Sequence, residues 1–283
     1  MIRQPVVAGK FYEYDKDNLI IQIKDCFTGK FGPGKLNQNV SKEKIKAIIV
    51  PHAGYFFSGS CAAHAYKKVA ESTLAKTFVL IGLNHYGHHS GISNQDWQTP
   101  LGIIETNKEL VDEITNTTSL EINEEPHEKE HSIEVQIPFL QYINKDNDFD
   151  IVCISLGNID PEKLGTELFD VLNNKDVTLI ISSDFTHYGH NFNYVPFTDN
   201  IKQNLELLDN GAIKYIENFD AERFRKYLNE THITICGYVP ILTSLYYMKN
   251  YKGKSAKLLK YYTSGDVLGD FKNSVSYVSI LIK

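Results

Sequence analysis

The sequence predicts an α/β fold, with one domain over residues 1–283 and a central mixed, largely parallel sheet flanked by helices. Two observations predict it. Strand-like apolar runs alternate with helix-like segments along the chain, and the runs are apolar at almost every position. Because strands buried on both faces read as continuous rather than alternating hydrophobic runs, the second observation favours a sheet covered by helices on both sides.

The predicted strands are short runs rich in isoleucine, valine and leucine. They cover residues 47–50, 78–81, 150–156, 177–181, 256–263 and 275–282. The middle strands are expected to pair in parallel, since helical segments separate them, whereas the last two are expected to be antiparallel additions.

The predicted helices fill the intervals between these runs. They cover residues 17–27, 59–69, 108–116, 128–143, 161–173, 197–210, 220–228 and 238–249. Asp160 and Pro161 give the clearest start signal, an N-cap residue followed by proline at the first helical position. The stretch 28–44, with its glycines and proline, is expected to be a surface loop.

Composition excludes several classes of function. The formal net charge is -6 and the pI is about 5.9, so a nucleic-acid partner is not expected. Apolar runs fall short of the roughly 18 residues of a membrane span, and the first residues lack a signal-peptide pattern, so we expect a cytoplasmic protein without a membrane partner. The four cysteines form no CxxC pair, which argues against a zinc ribbon or a disulfide framework.

Three of the first four predicted strands run directly into histidine. These residues are His52, His85 and His187, whereas the strand at 150–156 continues into Gly157 and Asn158. A single histidine after a strand is commonly an ordinary loop residue. Because parallel strands bring their carboxyl ends to one rim, where ligands bind, three histidines together favour a metal or acid-base site.

The segment from His127 to His131 raises an alternative. It reads H-x-x-E-H, an inverted zinc-peptidase pattern, and on a helix both histidines would share a face. This interpretation predicts zinc hydrolysis. An acidic, solvated helix start explains most of the same residues.

Six motifs, taken in order along most of the chain, resemble those of the Memo family, also known as AmmeMemoRadiSam system protein B. The motifs are Arg3-x-Pro5-x-Val7-Ala8-Gly9-x-Phe11-Tyr12, Pro51-His52-Ala53-Gly54-Tyr55 with Ser58-Gly59, Asn84-His85 with Gly87, the run from Glu130 to Leu140, the run from Ser182 to Gly189, and Thr234-Ile235-Cys236-Gly237. Each motif alone is weak, but six in order are specific.

The resemblance implies a fold similar to class III non-haem iron extradiol dioxygenases. It implies metal ligands at His52, His85 and Cys236, with His187 and Asp184 beside the metal and His131 close by. The dioxygenases use two histidines and a carboxylate, whereas a thiolate such as Cys236 also suits copper or zinc. We therefore expect one metal ion, iron or copper, with zinc as an alternative.

Three functional hypotheses follow. In the first, the protein is a metal-dependent, dioxygenase-like redox enzyme acting on an unknown small molecule. His187 is its acid-base group, Asp184 orients His187 or a loop, and Tyr55, Phe11 and Tyr12 line the pocket, although ordinary packing is an equal explanation of these three.

In the second hypothesis, the same cleft binds a peptide or handles a metal without catalysis. The resemblance also implies a functional link to a radical-SAM protein and an AMMECR-type domain. The third hypothesis is the zinc hydrolase.

Overall fold

The computed structural model describes residues 1–37, 41–145 and 148–283, and these ranges form a layered α/β structure. Its strands, in chain order, are β1 (Ile2–Arg3), β2 (Ala47–Val50), β3 (Thr77–Leu83), β4 (Gly91–Ile92), β5 (Asp96–Thr99), β6 (Gly102–Ile104), β7 (Asp150–Leu156), β8 (Val177–Ser182), β9 (His187–Gly189), β10 (Ala256–Thr263) and β11 (Asn273–Ile282).

Helices connect most of these strands. The α-helices are α1 (Lys16–Thr28), α2 (Tyr55–Ala70), α3 (Lys108–Thr117), α4 (Ile137–Ile143), α5 (Pro161–Leu172), α6 (Ile201–Glu217), α7 (Ala221–Thr231), α8 (Tyr238–Met248) and α9 (Ser264–Leu268). Asp160 caps α5 as predicted, accepting hydrogen bonds from the amides of Glu162 and Lys163.

The main sheet has the strand order β10-β11-β2-β8-β3-β7-β4. Its centre is parallel, because β2 pairs with β8, β8 with β3 and β3 with β7 in that sense. The two chain-terminal strands and β4 are antiparallel additions at the sides. The predicted fold class is therefore confirmed, a mixed and centrally parallel sheet flanked by helices.

Each central strand buries both of its faces. In β2, Ala47 and Ile49 pack into one hydrophobic core with α3, α5, α6, α7 and α8, whereas Ile48 and Val50 pack into a second core with α1, α2 and α4. Successive strand residues point to opposite faces, so two apolar layers require a run that is apolar at every position. This is the pattern that the sequence shows.

The helix expected over 197–210 covers Ile201–Glu217 instead, and two larger parts of the fold also differ from the sequence prediction. The helix expected over 128–143 is wrong in its first half, because α4 begins only at Ile137 after a 3-10 turn, Glu134–Gln136. A small second sheet, β1-β5-β6, was not predicted, since its strands are short and half polar. The loop expected over 28–44 includes residues 38–40, which lie outside the described residues.

The described helices include none that is both long and apolar enough to cross a lipid bilayer.

Candidate metal centre

The carboxyl ends of three neighbouring parallel strands carry the predicted site. His52 lies two residues beyond β2, His85 two residues beyond β3 and Asp184 two residues beyond β8. Cys236 comes from a different part of the chain, two residues before α8. One ligand atom from each of His52, His85 and Cys236 lies within 4.8 Å of the other two. The site thus joins residues that are up to 184 positions apart in sequence.

His52 is buried, with 2% of its surface exposed, and its orientation is fixed at both ends of the ring. Its Nδ1 lies 3.0 Å from Ser182 Oγ, and its Nε2 lies 3.2 Å from Cys236 Sγ. The Ser182 hydroxyl donates to the Ser132 carbonyl and accepts from Gln136 Nε2. Because that proton is already used, His52 Nδ1 must donate to Ser182, which leaves a lone pair on Nε2.

Burial lowers the pKa of His52 well below its ordinary value, and the neighbouring rings of His85, His131 and His187 lower it further. The imidazole is therefore neutral at physiological pH. A neutral imidazole with a free Nε2 lone pair is the form that binds a metal ion.

His85 is held by a buried carboxylate. Glu130 Oε1 lies 2.9 Å from His85 Nδ1, and Glu130 Oε2 accepts the His85 backbone N–H at 2.7 Å. The pairing places the proton on Nδ1 and leaves Nε2 free. A carboxylate behind a histidine is the arrangement commonly found at protein metal sites, where it fixes the tautomer and raises the basicity of the ligand.

Cys236 is held against the end of β8. The amide of the following residue, Gly237, donates to Ser183 Oγ at 3.0 Å, and a Cβ at Gly237 would lie 2.5 Å from Ser183 Cβ. This position therefore requires glycine. Burial raises the pKa of the Cys236 thiol, so without a metal the group is a thiol directed at His52 Nε2.

Asp184 and His187 flank the three candidate ligands, but they do not hydrogen-bond to each other. Asp184 Oδ1 accepts the backbone N–H groups of His52 and Ala53, so this carboxylate positions the loop after β2. Burial raises the pKa of Asp184. His187 Nδ1 lies 2.9 Å from the Phe185 carbonyl and 3.2 Å from that of Thr234. Both partners are acceptors, so His187 also carries its proton on Nδ1 and has a free Nε2.

His131 lies beside both histidine ligands of the candidate site, with its ring centroid 5.4 Å from that of His52. The rings of His131 and His85 stack with centroids 4.6 Å apart, and Phe11 contacts the His131 ring at the same centroid distance. Burial lowers the pKa of His131 to about 4, against the opposing charge of Glu130. The segment 127–131 thus places His131 at the candidate site, and its imidazole is neutral near pH 7.

A second group of ligand-type atoms, in His85, Glu130 and His131, shares His85 with the first. The Glu130 carboxylate in this group is fully engaged, since it also accepts the amides of His131 and Ser132, and its pKa falls to about 2. Its oxygens hold the loop together rather than pointing to open space. The set of His52, His85 and Cys236 is therefore the better candidate for a metal site.

The three predicted pocket aromatics have different surroundings. Phe11 is half-buried and contacts His131. Tyr55 and Tyr12 lie in the hydrophobic core, where Tyr55 donates its hydroxyl to the Val135 carbonyl at 2.6 Å and Tyr12 donates to Glu134 at 2.7 Å. Neither tyrosine hydroxyl is therefore free for a ligand, and the geometry of these two fits ordinary packing.

The H-x-x-E-H segment does not form the helix on which the peptidase interpretation depends. His127 is in a 3-10 turn, Glu125–His127, and is buried with its Nε2 at 3.1 Å from the Gly91 carbonyl. Its ring contacts Trp97 edge to face. Pro126 and the inward-facing Glu130 and Glu134 explain why the backbone turns here. Over the described ranges, His127 joins no cluster of metal-ligand atoms.

Several supporting residues were not singled out from the sequence. They are Glu130 behind His85, Ser182 behind His52, and Thr234, whose hydroxyl bonds both backbone groups of His187. Each occurs inside a motif quoted above, and Ser182 and Ser183 are polar residues ending an apolar strand. Polar residues at the end of an apolar strand could have indicated a site. The hydrogen-bond partners of these residues could not be found from the sequence.

The donor set fits a single metal ion. It comprises two imidazoles and one thiol, and the Nδ1 atom of each imidazole is held by a hydrogen bond that leaves Nε2 free. Nitrogen and sulfur donors of this kind suit zinc, copper and iron better than calcium or magnesium. The class of protein defined by this fold and site is an α/β protein with a cluster of two histidines and a cysteine, a candidate metal site, at the carboxyl edge of its parallel strands.

Comparisons with known proteins agree with the fold and identify the family. A sequence profile described as Memo-like protein matches residues 3–281. The chain is 36% identical over 287 residues to a MEMO1 family protein of Nitrosopumilus maritimus, covering 99% of both chains. It is 38% identical over 289 residues to one of Methanosarcina barkeri, covering 100% of both. The chain belongs to the Memo family.

A solved structure, that of an uncharacterized protein from Escherichia coli K12, has a similar fold. It superposes with a TM-score of 0.51 and 13% sequence identity, over 84% of this chain and 99% of the other. At this identity the likeness concerns the fold alone.

Proposed function

We propose that the protein binds one redox-active metal ion, iron or copper, through His52, His85 and Cys236, and that it carries out metal-dependent redox chemistry on a small molecule. The observation that carries the proposal is the convergence of three ligand atoms within 4.8 Å. A bound ion of this kind would supply electron transfer and polarisation of a ligand at the site.

The remaining residues have roles that their contacts support. Glu130 and Ser182 hold the two imidazoles by their Nδ1 atoms, and Asp184 holds the backbone that carries His52. His187 keeps Nδ1 protonated and Nε2 free, so Nε2 can accept a proton from a bound molecule. The His131 ring stacks on His85, and Phe11 packs against His131 in turn, so these rings fix one face of the His85 imidazole.

Elemental analysis tests this proposal directly. We expect one iron or copper per chain in protein purified without an affinity tag, and a loss of most of that metal in His52→Ala and in Cys236→Ser. Cys61→Ser is the matched control, because Cys61 is buried in a small separate cluster with Tyr262 and Tyr277. Equal metal content in all four proteins would end the proposal.

The second candidate function is metal handling or peptide binding in the same cleft without turnover. It shares the metal site, and its supporting observation is that Cys236, unlike the other three cysteines, is only partly buried. Oxygen consumption distinguishes the two functions. Turnover that depends on both the metal and His187 supports the enzyme, whereas stoichiometric metal release to an acceptor supports handling.

A further inference from the structure

A cavity of about 740 Å³ lies next to Cys236, between the ends of β3 and β7 and the helices α7 and α8. Its wall combines an apolar part, which includes Leu83, Leu156, Leu228 and Leu242, with a polar part, which includes Asn84 and Asn229. The volume is within the range of small-molecule sites, which typically combine an apolar wall with a few polar anchors. Cys236 connects this cavity to the proposed metal centre.

Arg225 on α7 is the charged side chain in this wall. Within the described ranges it has no carboxylate partner within 4.0 Å, whereas Arg3 pairs with Glu134 and Arg223 pairs with Asp220. The Nε atom of Arg225 is buried and has no hydrogen-bond partner. A guanidinium that is partly removed from water and lacks a counter-ion favours an anionic ligand, which it can bind through two parallel hydrogen bonds.

Neighbouring groups leave Arg225 available. Its Nη2 lies 3.4 Å from the Tyr246 hydroxyl, and that hydroxyl donates its proton to Glu222 Oε1 at 2.6 Å. Glu222 is therefore engaged by the tyrosine, and Tyr246 offers Arg225 only a neutral oxygen. This contact orients the guanidinium without neutralising its charge.

The amino end of α8 adds to the positive potential in the cavity. Tyr238, the first residue of this 11-residue helix, lines the cavity, and Gly237 provides no side-chain cap. The partial positive charge of a helix start favours a nearby anion. The amino end of α8 therefore supports binding of an anion, which Arg225 indicates independently.

We propose that this cavity binds a small organic acid, whose carboxylate is held by Arg225 and whose apolar body lies against the leucine-rich wall with one part next to Cys236. The inference rests on the proposed function only in placing the acid beside the metal. Binding of the acid requires the cavity and Arg225, and is measurable whether or not a metal is bound.

Calorimetry on the protein as purified tests this inference with three probes: 3-phenylpropionate, its uncharged amide, and inorganic phosphate. We expect the acid to bind more tightly than the amide or phosphate. Arg225→Gln should weaken binding of the acid about tenfold or more, because a charge-assisted hydrogen bond is lost, and should leave the amide unchanged. Arg223→Gln, on the exposed side of the same helix, is the matched control and should match the wild type.

Three results would overturn the inference: no binding of the acid to the wild type, equal binding of acid and amide, or phosphate binding as tightly as the acid. Arg225→Lys keeps a positive charge and should retain part of the affinity, which guards against misfolding of the glutamine variant. Metal content should be unchanged in Arg225→Gln, so a failure here is distinct from a failure of the metal proposal.

Discussion

His127 shows how one side chain can look catalytic in sequence and be structural in the fold. Its buried ring bonds the Gly91 carbonyl through Nε2, and its Nδ1 has no hydrogen-bond partner. A buried imidazole without an acceptor for a second proton resists charging. Burial accordingly lowers the pKa of His127 to about 4.

This lowered pKa predicts a pH-dependent loss of stability. Below pH 6.5 the unfolded chain binds a proton at His127 and the folded chain does not until about pH 4, so stability falls as pH falls through this window. Relative to His127→Gln, the wild type should lose about 2 kcal/mol of unfolding free energy between pH 7 and pH 5. Urea unfolding of both proteins at several pH values measures this difference in unfolding free energy.

The exposed histidine His89 provides the control for this measurement. Its change to glutamine should leave the pH dependence of unfolding as it is in the wild type. If His127→Gln and the wild type lost stability in parallel between pH 7 and pH 5, the assignment of a neutral, buried ring would be wrong.

Glu130 is predicted to tune the metal site from behind His85. Glu130→Gln removes the negative charge that His85 Nδ1 faces at 2.9 Å, so metal affinity should fall by about 10–100-fold. Competition with a chelator measures the affinity. Glu125→Gln is the matched control, since Glu125 pairs with the exposed His89 at 2.8 Å. An unchanged affinity in Glu130→Gln would contradict the role given to this carboxylate.

At the scale of elements, hydrogen bonds from the amino-terminal residues 3–7 stabilise the irregular stretch 127–136, which carries His131. Arg3 donates to Glu134 at 2.7 Å and to the carbonyls of His127 and Glu130, and the amides of Val6 and Val7 donate to Glu134. These bonds take the place of helical hydrogen bonds in this stretch. The first and fourth family motifs therefore contact each other in the folded chain.

We expect Arg3→Ala to be strongly destabilising. It removes one member of a buried ion pair and leaves Glu134 with less compensation, which typically costs about 3–5 kcal/mol. Lys44→Ala removes a surface pair with Asp176, both of whose side chains are about half exposed, and should cost about 0–1 kcal/mol. Urea unfolding of both variants compares the two costs. If both variants lost a similar amount of unfolding free energy, the ion pair between Arg3 and Glu134 would not be what stabilises the stretch 127–136.

The regular elements could be predicted because their signals are local. The parallel strands β2, β7 and β8 and the helix α5 lie within two residues of their predicted bounds, since apolar runs and an N-cap followed by proline act over short distances. The stretch 128–136 could not be predicted, because its conformation depends on the distant partner Arg3.

At the scale of the whole molecule, the topology assembles the site. The order β2-β8-β3 makes neighbours of three strands that are separated in sequence, so their ends bring His52, Asp184 and His85 to one rim. This much followed from the polar residues at the ends of parallel strands. The position of Cys236 did not, because the turn before α8 carries no local signal and only the family motif pointed to it.

The central claim concerns the whole fold, because the three ligands come from three separate segments and meet only in the folded chain. A metal that binds the folded chain alone also stabilises it, in proportion to the logarithm of its concentration over the dissociation constant. The metal centre is therefore expected to contribute to folding stability as well as to chemistry.

Anomalous X-ray scattering from crystals of protein that has met neither affinity resin nor added metal tests this claim most directly. We predict one anomalous peak between His52 Nε2, His85 Nε2 and Cys236 Sγ, whose intensity changes across the iron or the copper absorption edge. The peak should be absent from crystals of Cys236→Ser grown in the same way. A wild-type map without a peak at this position, or with a peak elsewhere, would contradict the account.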